Sequence, residues 1–168
     1  MEDHQIVPDV ISTAPVEIAK ITFRGGVNVN LGNELKPIQL KDIPEVFWDA
    51  DAGSFYALCL IDPDAPSKTE PIYRSWQHWL IVNIPGMDVQ SGETLSEYIG
   101  SSPGQGTGLH RYVFLIYKQN GKLHFDEKYS NNRCSREDRR SFQITKFAEK
   151  YRLGTPVAGN FYLAQWGD

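Results

Sequence analysis

Three stretches of near-continuous apolar residues, 55–61, 78–84 and 111–117, dominate the hydrophobic pattern of this chain. Runs of that length without alternation read as strands buried on both faces, as in the middle of a sandwich. Shorter segments around them alternate at least in part: 16–23, closed by Arg24-Gly25-Gly26; 27–30, turned by Leu31-Gly32-Asn33; and 46–48, ahead of Asp49-Ala50-Asp51-Ala52-Gly53. These read as short or half-buried strands ended by turn chemistry. Asn120-Gly121 is a hairpin signal leading into a further strand over 122–125.

Only one helix of any length is predicted. Ser135 and Asp138 are spaced like a capping box, Ile144, Ala148 and Tyr151 fall on one face with Phe147 beside them, and Gly154 would end it. A shorter helix is predicted over 94–99. Many strands with few helices place the chain in the mainly-β class, as a two-sheet antiparallel β-sandwich with a few peripheral helices. At 168 residues it suits a single domain, 1–168, with a core of its own.

Charge and cysteine usage narrow the function classes. A net charge of -4 argues against a general nucleic-acid binder, which needs a dominant basic face. The opening residues Met1-Glu2-Asp3-His4-Gln5 are acidic and lead into no apolar segment, so no secretory leader is expected. No apolar run approaches the roughly 20 residues that span a bilayer, so membrane contact is expected to be peripheral. Cys59 lies in an apolar strand and Cys134 at a polar helix start; with neither metal spacing nor a disulfide framework, both read as free thiols in a reducing cytosol.

Polar residues gather at the ends of the three strong runs, where loops can concentrate chemistry on a rigid scaffold. Ile61-Asp62-Pro63-Asp64-Ala65-Pro66 ends the first, Tyr73-Arg74-Ser75-Trp76-Gln77-His78 leads into the second, and residues 100–112 lead into the third. Gly100-Ser101-Ser102-Pro103-Gly104 matches G-x-S-x-G, but Pro103 lacks the N–H that an oxyanion hole needs there, and a strand follows instead of a helix. Gly104, Gly106 and Gly108 lack nucleotide-loop spacing and read as flexible backbone that can aim N–H groups at an anion. His78, His110, Asp62 and Asp64 have the side-chain types of a hydrolytic metal site without its local spacing.

If 62–64 stays extended, its two carboxylates point to the same side about 7 Å apart. At an effective dielectric of about 20 they repel by roughly 2 kcal/mol, which a cation or a proton would relieve. The simpler reading of an isolated Asp-Pro-Asp is a solvated turn in which an Asp caps local N–H groups. A lone histidine in an apolar strand is likewise more often a satisfied core residue. His78 and His110 stand at strand mouths, where an imidazole can donate to a phosphate oxygen, and Trp76 and Tyr112 offer apolar walls. The combination suits a small zwitterion or phosphomonoester better than a polyanion.

Asp62-Pro63-Asp64-Ala65-Pro66-Ser67, Tyr73-Arg74-x-Trp76-x-His78-Trp79, Gly106-Thr107-Gly108-Leu109-His110-Arg111-Tyr112 and Pro156-Val157-Ala158-Gly159 resemble the phosphatidylethanolamine-binding protein family over roughly residues 16–166. That family includes the Raf kinase inhibitor proteins of animals and the flowering-time regulators of plants. The resemblance implies a β-sandwich of one large and one smaller sheet, with a shallow anion pocket made by Asp62, Asp64, Pro66, Trp76, His78, Ser102, Pro103, His110 and Tyr112. It also implies a cis peptide at Arg74–Ser75.

Three departures from the family stand out. Ser102 and Gly104 replace the glycine and second proline that flank Pro103 in many animal members; Gln77 stands where another histidine is common; and the chain ends at Asp168, where many animal members continue into a helix along one side of the pocket. A looser anion loop and a more open site are expected. The function implied is a non-enzymatic, monomeric, cytoplasmic module without a cofactor, binding phosphatidylethanolamine or another phosphoryl headgroup and contacting signalling kinases or proteases. The alternative is a phosphoester hydrolase using Asp62/Asp64 and His78/His110.

Overall fold

The computed structural model describes residues 1–133 and 136–168. Ten strands form two sheets. The larger has the order β1 (Glu17–Ile18), β10 (Ala158–Ala164), β9 (His110–Gln119), β6 (Phe55–Asp62), β7 (Trp76–Pro85), β8 (Glu93–Ser96), with β4 (Asn33–Glu34) also pairing β10. The smaller has the order β3 (Val27–Asn28), β2 (Lys20–Phe23), β5 (Glu45–Phe47). β6, β7, β9 and β10 pair antiparallel, whereas β1 and β4 run parallel to β10. The chain is thus a two-sheet β-sandwich with short helices at its periphery.

The three apolar runs are β6, β7 and β9, and they are buried on both faces because the large sheet is a middle layer. Leu58, Leu60, Phe114 and Ile116 face the small sheet's Ile21, Phe23 and Val46. The alternate residues Ala57, Cys59, Ile61, Val113 and Leu115 face Ile6 and Ile11 of the N-terminal segment and Ile144 and Phe147 of the C-terminal helix. That opposite face rests against α1 (Ile6–Asp9) and α2 (Ile144–Lys150). Cys59 is a buried free thiol, pushed up to about 12 by desolvation. Cys134 lies outside the described residues.

Four predicted elements differ from the structure. The segment 16–23 is two strands: the chain leaves the large sheet at Ala19, whose N–H donates to Gly159 O, and enters the small one at Lys20. Residues 94–99 form no helix, because β8 pairs with β7 and the N–H of Glu97 then donates to Ser130 O. Beyond Gly121, residues 122–125 form no strand; Asn83 fastens them, with Leu123 N–H donating to Asn83 Oδ1 and Asn83 Nδ2 donating to Leu123 O, while Gln119 Nε2 donates to Gly121 O.

The single helix predicted from Ser135 to Gly154 is a 3-10 turn, Arg136–Arg139, followed after a break by α2. Ser135, its expected cap, lies outside the described residues. The break comes at Ser141, where φ is +58°, and Phe142 exchanges two main-chain hydrogen bonds with Ser75. A tertiary pairing with the loop before β7 has displaced local helix preference.

Candidate functional site

One end of the large sheet carries the site. β6 ends at Asp62, β7 begins at Trp76 and β9 begins at His110, so antiparallel pairing brings these termini together. β7 carries an extra residue there: Leu60 pairs with Trp79 while Ile61 pairs with Gln77, leaving His78 in a bulge. Bulges re-aim side chains. His78 accordingly packs edge-on to the Tyr112 ring at 5.3 Å and beside Trp76 at 4.5 Å. Gln77 bonds instead to the Ser96 hydroxyl on β8.

A cavity of about 370 Å³ opens at this end. Its lining includes eight of the nine residues singled out from the sequence: Asp62, Pro66, Trp76 and His78 from one side, Ser102, Pro103, His110 and Tyr112 from the other. The loop before β9 is seated where a side chain at position 100 would collide; a Cβ on Gly100 would lie 2.6 Å from Leu40 O. Ser101 meets the Tyr162 hydroxyl at 2.5 Å, beneath a stack of His110, Tyr112 and Tyr162 rings. The Arg74–Ser75 peptide is cis, as are Val7–Pro8 and Ala65–Pro66.

Asp64 is the ninth residue, and it is absent from the lining. The chain turns after Asp62, whose Oδ1 accepts the Asp64 N–H at 2.8 Å, and the Asp64 carboxylate swings into the protein. There it accepts from Arg111 Nε at 2.8 Å, Nη2 at 2.6 Å and the main-chain N–H at 2.9 Å, with Arg74 Nη2 at 3.4 Å. Burial alone would raise the Asp64 carboxyl, but the Arg111 hydrogen bonds and charge outweigh it and hold it below the usual carboxylate range. The open, mutually repelling pair predicted from an extended 62–64 therefore does not form.

Proton bookkeeping assigns the roles of the two imidazoles. His78 Nδ1 lies 2.7 Å from Ile99 O, and a carbonyl only accepts, so Nδ1 carries the proton. Desolvation by burial, with Arg139 nearby, pushes His78 down to about 4, so near pH 7 the ring is neutral. Its Nε2 is then a lone pair with no hydrogen-bond partner among the described residues. His110 is different. The Thr107 hydroxyl donates to Gly104 O at 2.7 Å, so His110 Nε2–H donates to Thr107 at 2.8 Å.

The other ring nitrogen of His110 faces Asp62 Oδ2 at 2.8 Å, and one proton lies between them. Burial pushes the Asp62 carboxyl up, opposed by that contact. Both ring nitrogens of His110 are thus occupied, as are both oxygens of Asp62.

The remaining donors come from the loop and from the chain's later part. Ser102 and Gly104 line the cavity, and their N–H groups meet no acceptor among the described residues. Arg136 and Arg140, together with Asn132, line it too. None of the three was singled out from the sequence; the four-residue spacing of Arg136 and Arg140 within the predicted helix was the available signal. Thr107 and Tyr73 also line it and lie within motifs already singled out. Among the described residues, no group of three or more His, Cys, Asp or Glu side chains is arranged to hold a metal ion.

The sequence profile described as Phosphatidylethanolamine-binding protein matches residues 11–162. The chain belongs to that family. It is 38% identical over 168 residues to the putative odorant-binding protein A5 of Drosophila melanogaster, covering all of this chain and 80% of that one. Among solved structures, a carboxypeptidase Y inhibitor in complex with its cognate proteinase superimposes with a TM-score of 0.84 at 26% identity, over 99% of this chain and 93% of that one. The phosphatidylethanolamine-binding protein of Plasmodium vivax has the same fold, with a TM-score of 0.74 at 22% identity, over 99% and 95% of the two chains.

Proposed function

We propose that this family member is a non-enzymatic, monomeric binding module that takes a phosphoryl headgroup in the cavity and contacts protein partners around its mouth. The observation that carries the reading is that His78 Nε2 and the loop N–H groups of Ser102 and Gly104, none with a hydrogen-bond partner among the described residues, belong to residues lining one concave site. A phosphoryl group presents both of the complementary parts: a P–O–H that donates to Nε2 and oxygens that accept from the amides. Charge-assisted hydrogen bonds contribute about 1.5 to 3 kcal/mol each, so a few of them in an open site give modest affinity.

Hydrolysis is the poorer reading on geometric grounds. Asp62, His110 and Thr107 form a chain with triad-like order, but the Thr107 proton is given to Gly104 O, so His110 acts as donor toward Thr107 instead of as its base. Protein docking is supported by the family relative that inhibits carboxypeptidase Y, seen bound to that proteinase. By extension, signalling kinases or proteases are the proposed partner classes, and the cytoplasm the proposed location.

The test is calorimetric titration with phosphoethanolamine, followed by an assay for released phosphate with and without divalent cations. Saturable binding that is lost in His78→Phe, with no product formed, is the expected result. Turnover that depends on His110 would contradict it.

A further inference from the structure

The residue types suited a small zwitterion or a phosphomonoester, and a zwitterion's ammonium would need a free carboxylate. The structure removes that support. Asp64 is consumed by Arg111 and Arg74, and Asp62 by His110 and the Asp64 N–H. No other Asp or Glu among the described residues lines the cavity, whereas Arg136 and Arg140 both do.

Among the described residues, no carboxylate forms an ion pair with Arg136 or Arg140; of the two acids on the same turn, Glu137 and Asp138, the second pairs with Lys128 at 3.0 Å. The Arg140 guanidinium carbon lies 4.0 Å from the centre of the Tyr73 ring, a cation–π contact that holds the group at the cavity wall. Two positive, forked donors thus stand in the wall of a site whose acids are already spent. Guanidinium groups recognise carboxylate and phosphate in a planar, two-bond geometry.

We propose that this cavity selects a phosphomonoester carrying a second anionic group, held by Arg136 and Arg140, over the zwitterionic phosphoethanolamine. The inference rests on the phosphoryl reading of the site and deepens it. A soluble phosphorylated acid and a polyphosphorylated lipid headgroup share the required chemistry.

O-Phospho-L-serine is phosphoethanolamine with one added carboxylate, so the two ligands isolate the second charge. Calorimetry should show O-phospho-L-serine binding about tenfold tighter, the equivalent of one charge-assisted contact. In the Arg136→Gln/Arg140→Gln double variant the ratio of the two affinities should fall to about one. Equal affinities in the wild type, or a preference that survives the double substitution, would overturn the inference and leave the phosphoryl site standing. Failure of both ligands to bind would overturn the site itself.

Flotation with phosphatidylcholine vesicles containing phosphatidylinositol bisphosphate separates the two sources. Capture that O-phospho-L-serine releases identifies the lipid headgroup. Free-ligand preference without vesicle capture identifies the soluble acid.

Discussion

Replacing Arg111 by methionine should lower the stability of this protein by about 3 to 5 kcal/mol, the range seen when one member of a buried ion pair is removed and the other left behind. Arg111 is almost fully buried and donates three hydrogen bonds to Asp64, one to His4 O and one to Asp9. The substitution keeps the main-chain N–H bond but strands a fully buried carboxylate with only Arg74 near it. For a chain of this length the melting temperature should fall by roughly 10 °C.

The sign of the pH dependence follows from the direction of the Asp64 shift. A carboxyl held below its unfolded value adds stability above the ordinary carboxylate range, and that stability is lost as pH falls through the lowered value. Wild type should therefore lose stability on acidification more steeply than Asp64→Leu/Arg111→Met, in which both charges are gone and most of the single-variant loss should be recovered. Thermal unfolding of the three proteins across acidic pH checks this. A destabilisation under 1 kcal/mol for Arg111→Met, or an Asp64→Asn variant that loses phosphoethanolamine affinity with unchanged stability, would make Asp64 a ligand contact instead.

The second large effect is a loss of phosphoethanolamine affinity with alkaline pH, about 100-fold between pH 6 and pH 8. With His78 pushed down to about 4, the free site holds no proton on Nε2 anywhere in this range. The ligand's second ionisation lies near 6, so above that value it is a dianion in solution. The complex needs one proton between Nε2 and a phosphoryl oxygen, so binding takes one up, and affinity falls about tenfold per pH unit above roughly pH 6. Between about pH 4 and pH 6 the ligand already carries the proton and affinity should be flat. Titrations at several pH values in buffers of different ionisation enthalpy measure both the slope and the proton uptake. A pH-independent affinity would show that His78 Nε2 makes no contact with the phosphoryl group.

These expectations also mark how far the sequence can be read. β6, β7 and β9 were legible because a middle-layer strand must be apolar on both faces, and their apolar residues alternate between the two cores, with Asn83 the polar exception within the β7 run. β10 was missed for the opposite reason: Gly159 and Asn160 interrupt it. Gly159 is there because a Cβ would meet Phe114 O at 2.9 Å, and the Asn160 amide joins the sheets by donating to Ala19 O and Val29 O. Neither function leaves a strand-like pattern.

Within the site, the local sequence marked the strand ends, and so the residues that line the cavity. It could not show that Asp64 turns inward, because the deciding partner, Arg111, lies 47 positions away in the chain. Arg136 and Arg140 were hidden similarly. They lie on a short turn that a break at Ser141, beside the Ser75–Phe142 pairing, separates from the helix predicted there.

The most direct measurement is of the His78 ring itself, by nitrogen-detected NMR of histidine-labelled protein during a phosphoethanolamine titration at pH 6. Free protein should show His78 protonated on Nδ1 alone, and saturation should move Nε2 to the shift of a hydrogen-bonded or protonated nitrogen while Nδ1 stays fixed on Ile99 O. Saturable binding that leaves His78 Nε2 unchanged would place the ligand elsewhere and contradict the account.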